Sequence, residues 1–92
     1  MSFPQIVESY VSGTSGYFIW SNGFKEQWGV TSNTGTSNYT VTLLKNFSNT
    51  NYFVALTGTA NMSGHIIYVT SKTTSNFTGY ATKNSYWYAC GY

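Results

Sequence analysis

Several short β-patterned runs of this chain are apolar on both faces, and a chain of this length has one core to offer. Side chains alternate across a strand, so a strand with one wet face shows a single apolar side. Residues 52–57 place Tyr52, Val54 and Leu56 on one side and Phe53 and Ala55 on the other. Residues 86–92 set Trp87 and Ala89 against Tyr86, Tyr88, Cys90 and Tyr92, and residues 65–70 are nearly two-sided as well. The 92 residues make one domain. A domain of that size buries only about 60–65% of the surface its unfolded chain exposes. The second apolar faces need a further surface, and another copy of the same chain is the economical one.

No stretch sustains the i, i+3, i+4, i+7 apolar pattern of a helix. Short runs rich in Tyr, Val, Thr, Ile, Phe and Trp alternate with Gly, Asn, Ser and Thr clusters, which reads as strands and turns. The expected fold class is all-β: a small antiparallel β-sandwich over residues 17–92 that associates with copies of itself. Residues 1–16, with Pro4, Gly13 and Gly16, read as an extended lead-in holding a short strand at 6–11. Residues 38–44 alternate cleanly, with Tyr39, Val41 and Leu43 opposite Thr40 and Thr42, and residues 77–82 are a weaker strand. Asn22-Gly23 suits a two-residue type I′ turn. That turn pairs Ser21 with Phe24, Ile19 with Glu26 and Tyr17 with Trp28. One face then carries Tyr17, Ile19, Phe24 and Trp28 with Glu26 among them, and the other Phe18, Trp20, Lys25 and Gln27. The first face reads as core, with Trp28 and later Trp87 packed inside.

Charged residues are only 7% of the chain, aromatics 20%, and Asp and Arg are absent. The net charge of +2 rests on Lys25, Lys45, Lys72 and Lys83. These lysines are scattered and do not form the stripe a nucleic-acid binder needs. No run approaches the ~20 apolar residues of a membrane helix, and the first residues lack the pattern of a secretory signal. Synthesis in a cytoplasm is therefore expected. Cys90 is the only cysteine, so no disulfide can staple the fold.

Catalysis is not expected. A glycosidase needs two placed carboxyls, and only Glu8 and Glu26 exist. A catalytic cysteine needs an activating base, and nothing places His65, the only histidine, near Cys90. Cys90, His65, Glu8 and Glu26 show no zinc-ligand spacing, so neither metal nor cofactor is expected.

The segments Ile6-Val7-Glu8-Ser9-Tyr10, Gly13-Thr14-Ser15 and Glu26-Gln27-Trp28-Gly29, together with the ending Tyr86-Trp87-Tyr88-Ala89-Cys90-Gly91-Tyr92, resemble the C-terminal domains of bacteriophage tail-fibre proteins. Asn49-Thr50-Asn51-Tyr52 and Lys72-Thr73-Thr74-Ser75-Asn76-Phe77 fall where that family places similar segments, so the resemblance spans nearly the whole chain. The family more often carries aspartate at the position of Asn22 and tryptophan at those of Gly16 and Phe24. The resemblance implies a β-sandwich that assembles as a parallel homotrimer, the tip at the distal end of a fibre on the virion, binding a glycan or protein on the bacterial surface. On such a trimer axis three copies of His65 would be the arrangement able to hold a metal. Met1 directly before a mid-family segment suggests the end of a longer fibre, with a whole gene product as the alternative. A trimerisation knob without receptor contact is the alternative role.

Within that reading, Trp20 and Phe18 are favoured as subunit contacts, with stacking on a sugar ring as the ligand-binding alternative. His65 follows Gly64 near a turn. It joins Asn33, Thr34, Asn61 and Ser63 of the polar loops 31–37 and 58–64 as candidate ligand contacts, since binding residues concentrate on loops. The loop 71–76 is the third long polar one. Tyr86, Tyr88, Cys90, Tyr92 and Phe53 are expected at a subunit interface, with the Cys90 thiol inert. Glu26 is discordant on an apolar face: either it bonds across subunits or the hairpin register is one residue out.

Overall fold

A computed structural model describes residues 3–31, 37–59 and 64–92; the candidate contacts Asn33, Thr34, Asn61 and Ser63 lie outside the described residues. Eight strands run β1 Ile6–Ser12, β2 Ser15–Trp20, β3 Lys25–Val30, β4 Ser37–Thr42, β5 Phe53–Gly58, β6 Ile67–Lys72, β7 Asn76–Ala81 and β8 Ser85–Gly91. Among the described residues there is no helix. The strands form two antiparallel sheets, a five-stranded one in the order β1-β2-β3-β8-β5 and a three-stranded one in the order β4-β7-β6. They pack as an all-β sandwich, as the sequence pattern predicts.

The core lies between the small sheet and the β8 side of the large one. Tyr39, Val41, Leu43, Phe47, Tyr52, Phe77, Ala81, Trp87 and Ala89 form one buried cluster, with Val54, Leu56, Ile67 and Val69 packed against it. Aromatic edges meet aromatic faces through it: Phe77 is T-shaped against Trp87 at 5.5 Å and against Tyr39 at 6.3 Å. Phe47 stacks on Tyr52 at 4.3 Å. The Tyr52 hydroxyl lies 2.8 Å from the carbonyl oxygens of both Thr73 and Asn76, which share its proton and pin the β6–β7 turn. On β3, Gly29 is where the chain comes closest to the core. A Cβ there would sit 2.7 Å from Trp87 Nε1, so only glycine lets the indole lie on the strand.

The alternation predicted for β4, β5 and β8 is the one observed. Strand β7, the weaker pattern in the sequence, is the centre of the small sheet, with Phe77, Gly79 and Ala81 buried. Strand β6 is one-sided: Ile67 and Val69 are half-buried while Tyr68 and Thr70 are exposed. Strand β1 is exposed along its whole length and extends the large sheet beyond the sandwich, giving a molecule of 49 × 25 × 20 Å.

The β2–β3 hairpin corrects the expected register by one residue. Trp20 N donates to Phe24 O at 2.8 Å and Gly23 N donates to Trp20 O at 2.9 Å, closing a three-residue loop Ser21-Asn22-Gly23. Gly23 takes φ 92°, whereas no non-glycine residue among those described has positive φ. A type I′ turn would need positive φ at Asn22 too. Instead the Asn22 Oδ1 accepts from Phe24 N at 3.0 Å. Phe18 therefore pairs with Glu26, Tyr17 with Gln27 and Gly16 with Trp28. A one-residue slip moves every β3 side chain to the opposite face. Trp28 and Glu26 leave the inner face, and Gln27 enters it.

Gln27 is fully buried, with both the nitrogen and the oxygen of its amide bonded to backbone. Its Nε2 donates to Lys45 O at 2.7 Å, and its Oε1 accepts from Leu44 N at 2.8 Å and Lys45 N at 3.2 Å. This one amide clamps the chain leaving β4 onto β3. Lys45 continues the tie: its Nζ lies 2.7 Å from Glu8 on β1 and 5.2 Å from the Tyr17 ring centroid. Replacing Gln27 by leucine keeps the volume and strands three backbone groups. Gln27→Leu is expected to cost about 2–4 kcal/mol of unfolding free energy, read from the urea midpoint; an unchanged midpoint contradicts the clamp.

Candidate functional site

The outer face of the large sheet gathers most of the residues singled out in the sequence. Because Trp87 and Ala89 enter the core, their neighbours on β8 point away from it, and the strand register extends that face in rows. One row reads Phe18, Glu26, Cys90, Phe53; the next reads Gly16, Trp28, Tyr88, Ala55; a third reads Val30, Tyr86, Thr57. Trp20 stands beside the first row on β2. Tyr92 packs edge-on against Phe24 at 5.4 Å at the same end. The candidates Phe18 and Trp20, named for subunit contact or ligand stacking, and Tyr86, Tyr88, Cys90 and Phe53, expected to touch subunits, are thus parts of one surface. Trp28, expected in the core, belongs to it as well, T-shaped against Phe18 at 5.1 Å. Phe53 is 64% exposed and Tyr86 50%. No element of the chain among the described residues covers this face.

Trp28 lies over Gly16, where an added Cβ would meet the indole at 2.7 Å. A larger residue at that position would displace the ring, so glycine at 16 and tryptophan at 28 form a matched pair.

Glu26 sits in the middle of these rings with both carboxylate oxygens engaged. Trp20 Nε1 donates to Oε2 at 2.6 Å and the Tyr88 hydroxyl donates to Oε1 at 2.7 Å. The register slip and the bonding together resolve the discordance: the carboxylate is satisfied within its own chain. Such short charge-assisted bonds fix both rings in place. Burial first, and then the bond to Glu26, hold the Tyr88 hydroxyl well above the ordinary tyrosine pKa. Glu8, the other carboxylate, is held below its ordinary value chiefly by the bond to Lys45 and then by the one from Tyr17.

The outer face of the small sheet has a different chemistry. Asn38, Tyr80 and Tyr68 align across it, next to a row of Thr40, Thr78 and Ser71. Tyr68 and Tyr80 stack at 5.6 Å. His65 lies at the end of this sheet, its Nδ1 2.9 Å from Thr82 Oγ1, so the structure does not bring it to the aromatic face of Phe18 and Trp20. Sequence reasoning missed Gln27 and Glu26 as organisers, because their partners are backbone or rings many residues away.

The fold is similar to that of pyocin tail fibres. An N-truncated R2-type pyocin tail fibre superposes with a TM-score of 0.75 over 96% of this chain at 18% identity; the chain spans 39% of its length. A C-terminal fragment of the R2 pyocin fibre of P. aeruginosa matches with a TM-score of 0.72 over 94% of this chain, at 20% identity and 26% of that chain. An N-truncated R1-type pyocin tail fibre matches with a TM-score of 0.64 at 14% identity, over 94% of this chain and 87% of its own. No family model and no curated protein matches the sequence.

The raised Tyr88 pKa has a sign. In the unfolded chain Tyr88 releases its proton at the ordinary value, while folded Tyr88 still holds it. The stability it confers is present below that value and is lost as pH climbs beyond it. Tyr88→Phe keeps the ring without the proton. It should flatten the fall of the urea midpoint between about pH 9 and about pH 11; an unchanged alkaline slope would contradict the assignment.

Proposed function

We propose that this domain is the receptor-binding tip of a phage or phage-tail-like fibre. It works as a homotrimer on the virion's distal fibre end, holds a glycan or protein of the bacterial surface, and performs no chemistry of its own. The observation that carries the reading is the shared fold with pyocin tail fibres over nearly the whole chain. The resemblance of its opening, hairpin and closing segments to tail-fibre C-terminal domains points the same way.

The uncovered aromatic face supports self-association. Contiguous apolar surface on this scale marks an interaction site, and aromatic residues are favoured where subunits meet. With that face covered by copies, Phe18 and Trp20 become contacts between chains, and the hydroxyl- and amide-bearing small sheet and its neighbouring loops remain for the receptor. Three copies of a weak site on one rigid body raise avidity without any new contact.

Placing a charge on the aromatic face separates the two contributions. Tyr86→Glu leaves the core untouched, because Tyr86 is half-exposed on the outer side of β8. It should yield a folded monomer whose adsorption to a bacterial strain that the parent labels falls about a hundredfold. Fluorescently labelled domain and flow cytometry read this. Parent domain that labels no strain across a broad panel would remove receptor binding and leave the trimerisation knob; a monomer that adsorbs as tightly as the parent would remove the trimer from the mechanism.

A further inference from the structure

The two sheets do not close along one edge. Strand β5 ends the large sheet and β6 ends the small one, and between their ends lies a cleft of about 470 Å³. That volume falls within the roughly 300–1,000 Å³ of small-ligand sites. Val54 and Val69 give it an apolar wall, and Asn51, Thr70, Ser71 and Lys72 give it an amide, two hydroxyls and an ammonium. Strand β6 carries a bulge between Val69 and Ser71, so Thr70 is an extra residue at this rim. Bulges at sheet edges re-aim side chains. Here Thr70 and Ser71 both reach the Thr78 hydroxyl.

Lys72 is set in place before any ligand arrives. Its Nζ donates to Tyr52 O at 2.6 Å and stands 5.1 Å from the centroid of the Tyr52 ring. An ammonium has three donors, so two remain for the cleft. No side-chain carboxylate of the chain can neutralise it. The sequence holds only Glu8 and Glu26; Glu8 is taken by Lys45 and Tyr17, and Glu26 by Trp20 and Tyr88.

We propose that this cleft binds an anionic saccharide unit, its carboxylate or phosphate on Lys72 and its hydroxyls on Asn51, Thr70 and Ser71. The proposal rests on the receptor-binding reading and names the chemistry it would recognise. A fixed cation with hydroxyl and amide partners selects a charged sugar over a neutral one of equal size, since a charge-assisted bond is roughly twice as strong as a neutral one. Val54 and Val69 accept the C–H face of the ring.

The test is a titration of the uniformly labelled domain, followed by amide NMR shifts, with D-glucuronate, glucose 6-phosphate and methyl glucoside in turn. The expected result is saturable movement of amides in residues 51–54 and 69–72 with one or both anions, and affinity for methyl glucoside weaker by about tenfold. The two anions tell carboxylate from phosphate. Lys72→Gln should lose the same factor, Lys72→Arg should keep most of the binding, and Lys83→Gln, outside the cleft, should change nothing. No saturation by either anion, equal binding of the neutral sugar, or anion binding unchanged in Lys72→Gln overturns the proposal. Cell adsorption separates it from its premise. A parent that adsorbs to cells but fails these titrations keeps its receptor function without this cleft. A parent that saturates with anion but adsorbs to no strain keeps the cleft and loses the receptor role.

Discussion

Trp87 and Tyr88 are adjacent in sequence and point to opposite sides of β8, and the rest of the molecule is arranged around that split. Trp87 packs edge-on with Phe77 of the facing sheet and lies on Gly29 of the neighbouring strand. Tyr88 faces outward and bonds Glu26. Strand β8 sits between β3 and β5, where the small sheet covers the inner side of the large one. A central strand that is apolar on both faces needs a layer on each. The chain supplies one layer, the small sheet. The aromatic face on the other side has both Glu26 oxygens bonded and has no cover among the described residues.

Glu26 fixes the shape of that face. Its carboxylate is the one charge among the rows of rings, and Trp20 and Tyr88 take both its oxygens. The bonds lock two large side chains in fixed positions, so under the proposed self-association the surface offered to a copy is shaped in advance. Pre-organisation of this kind lowers the cost of association. Gln27, one residue along and on the opposite side, performs the matching task inward by clamping residues 44 and 45.

Much of this was legible in the sequence, and what was not has identifiable physical causes. Alternation marked β4, β5 and β8 because their inner residues are large and apolar while the outer ones differ. Strand β7 was faint because its inner positions are Phe77, Gly79 and Ala81; Gly79 is small where the Tyr39 ring lies against the strand. The hairpin misled because Asn22-Gly23 fits both a two-residue and a three-residue loop, and only the observed backbone distinguishes them. That single residue exchanged Trp28 for Gln27 in the interior. No local pattern announces a buried glutamine whose partners are backbone groups in a loop 17 and 18 residues away. The aromatic candidates were divided between two roles, since the sequence does not show that β2 and β8 are separated only by β3, which places them on one surface.

The central claim is that the outer face of β2, β3, β8 and β5 is covered by copies of the same chain. Molar mass in solution, measured by light scattering on a sizing column at micromolar concentration, tests it most directly. The account predicts a value near three times the 10.2 kDa of the chain. A single species at the chain mass would contradict it, leaving Phe18, Trp20, Trp28 and Tyr88 open to solvent and making that face the first place to look for a ligand.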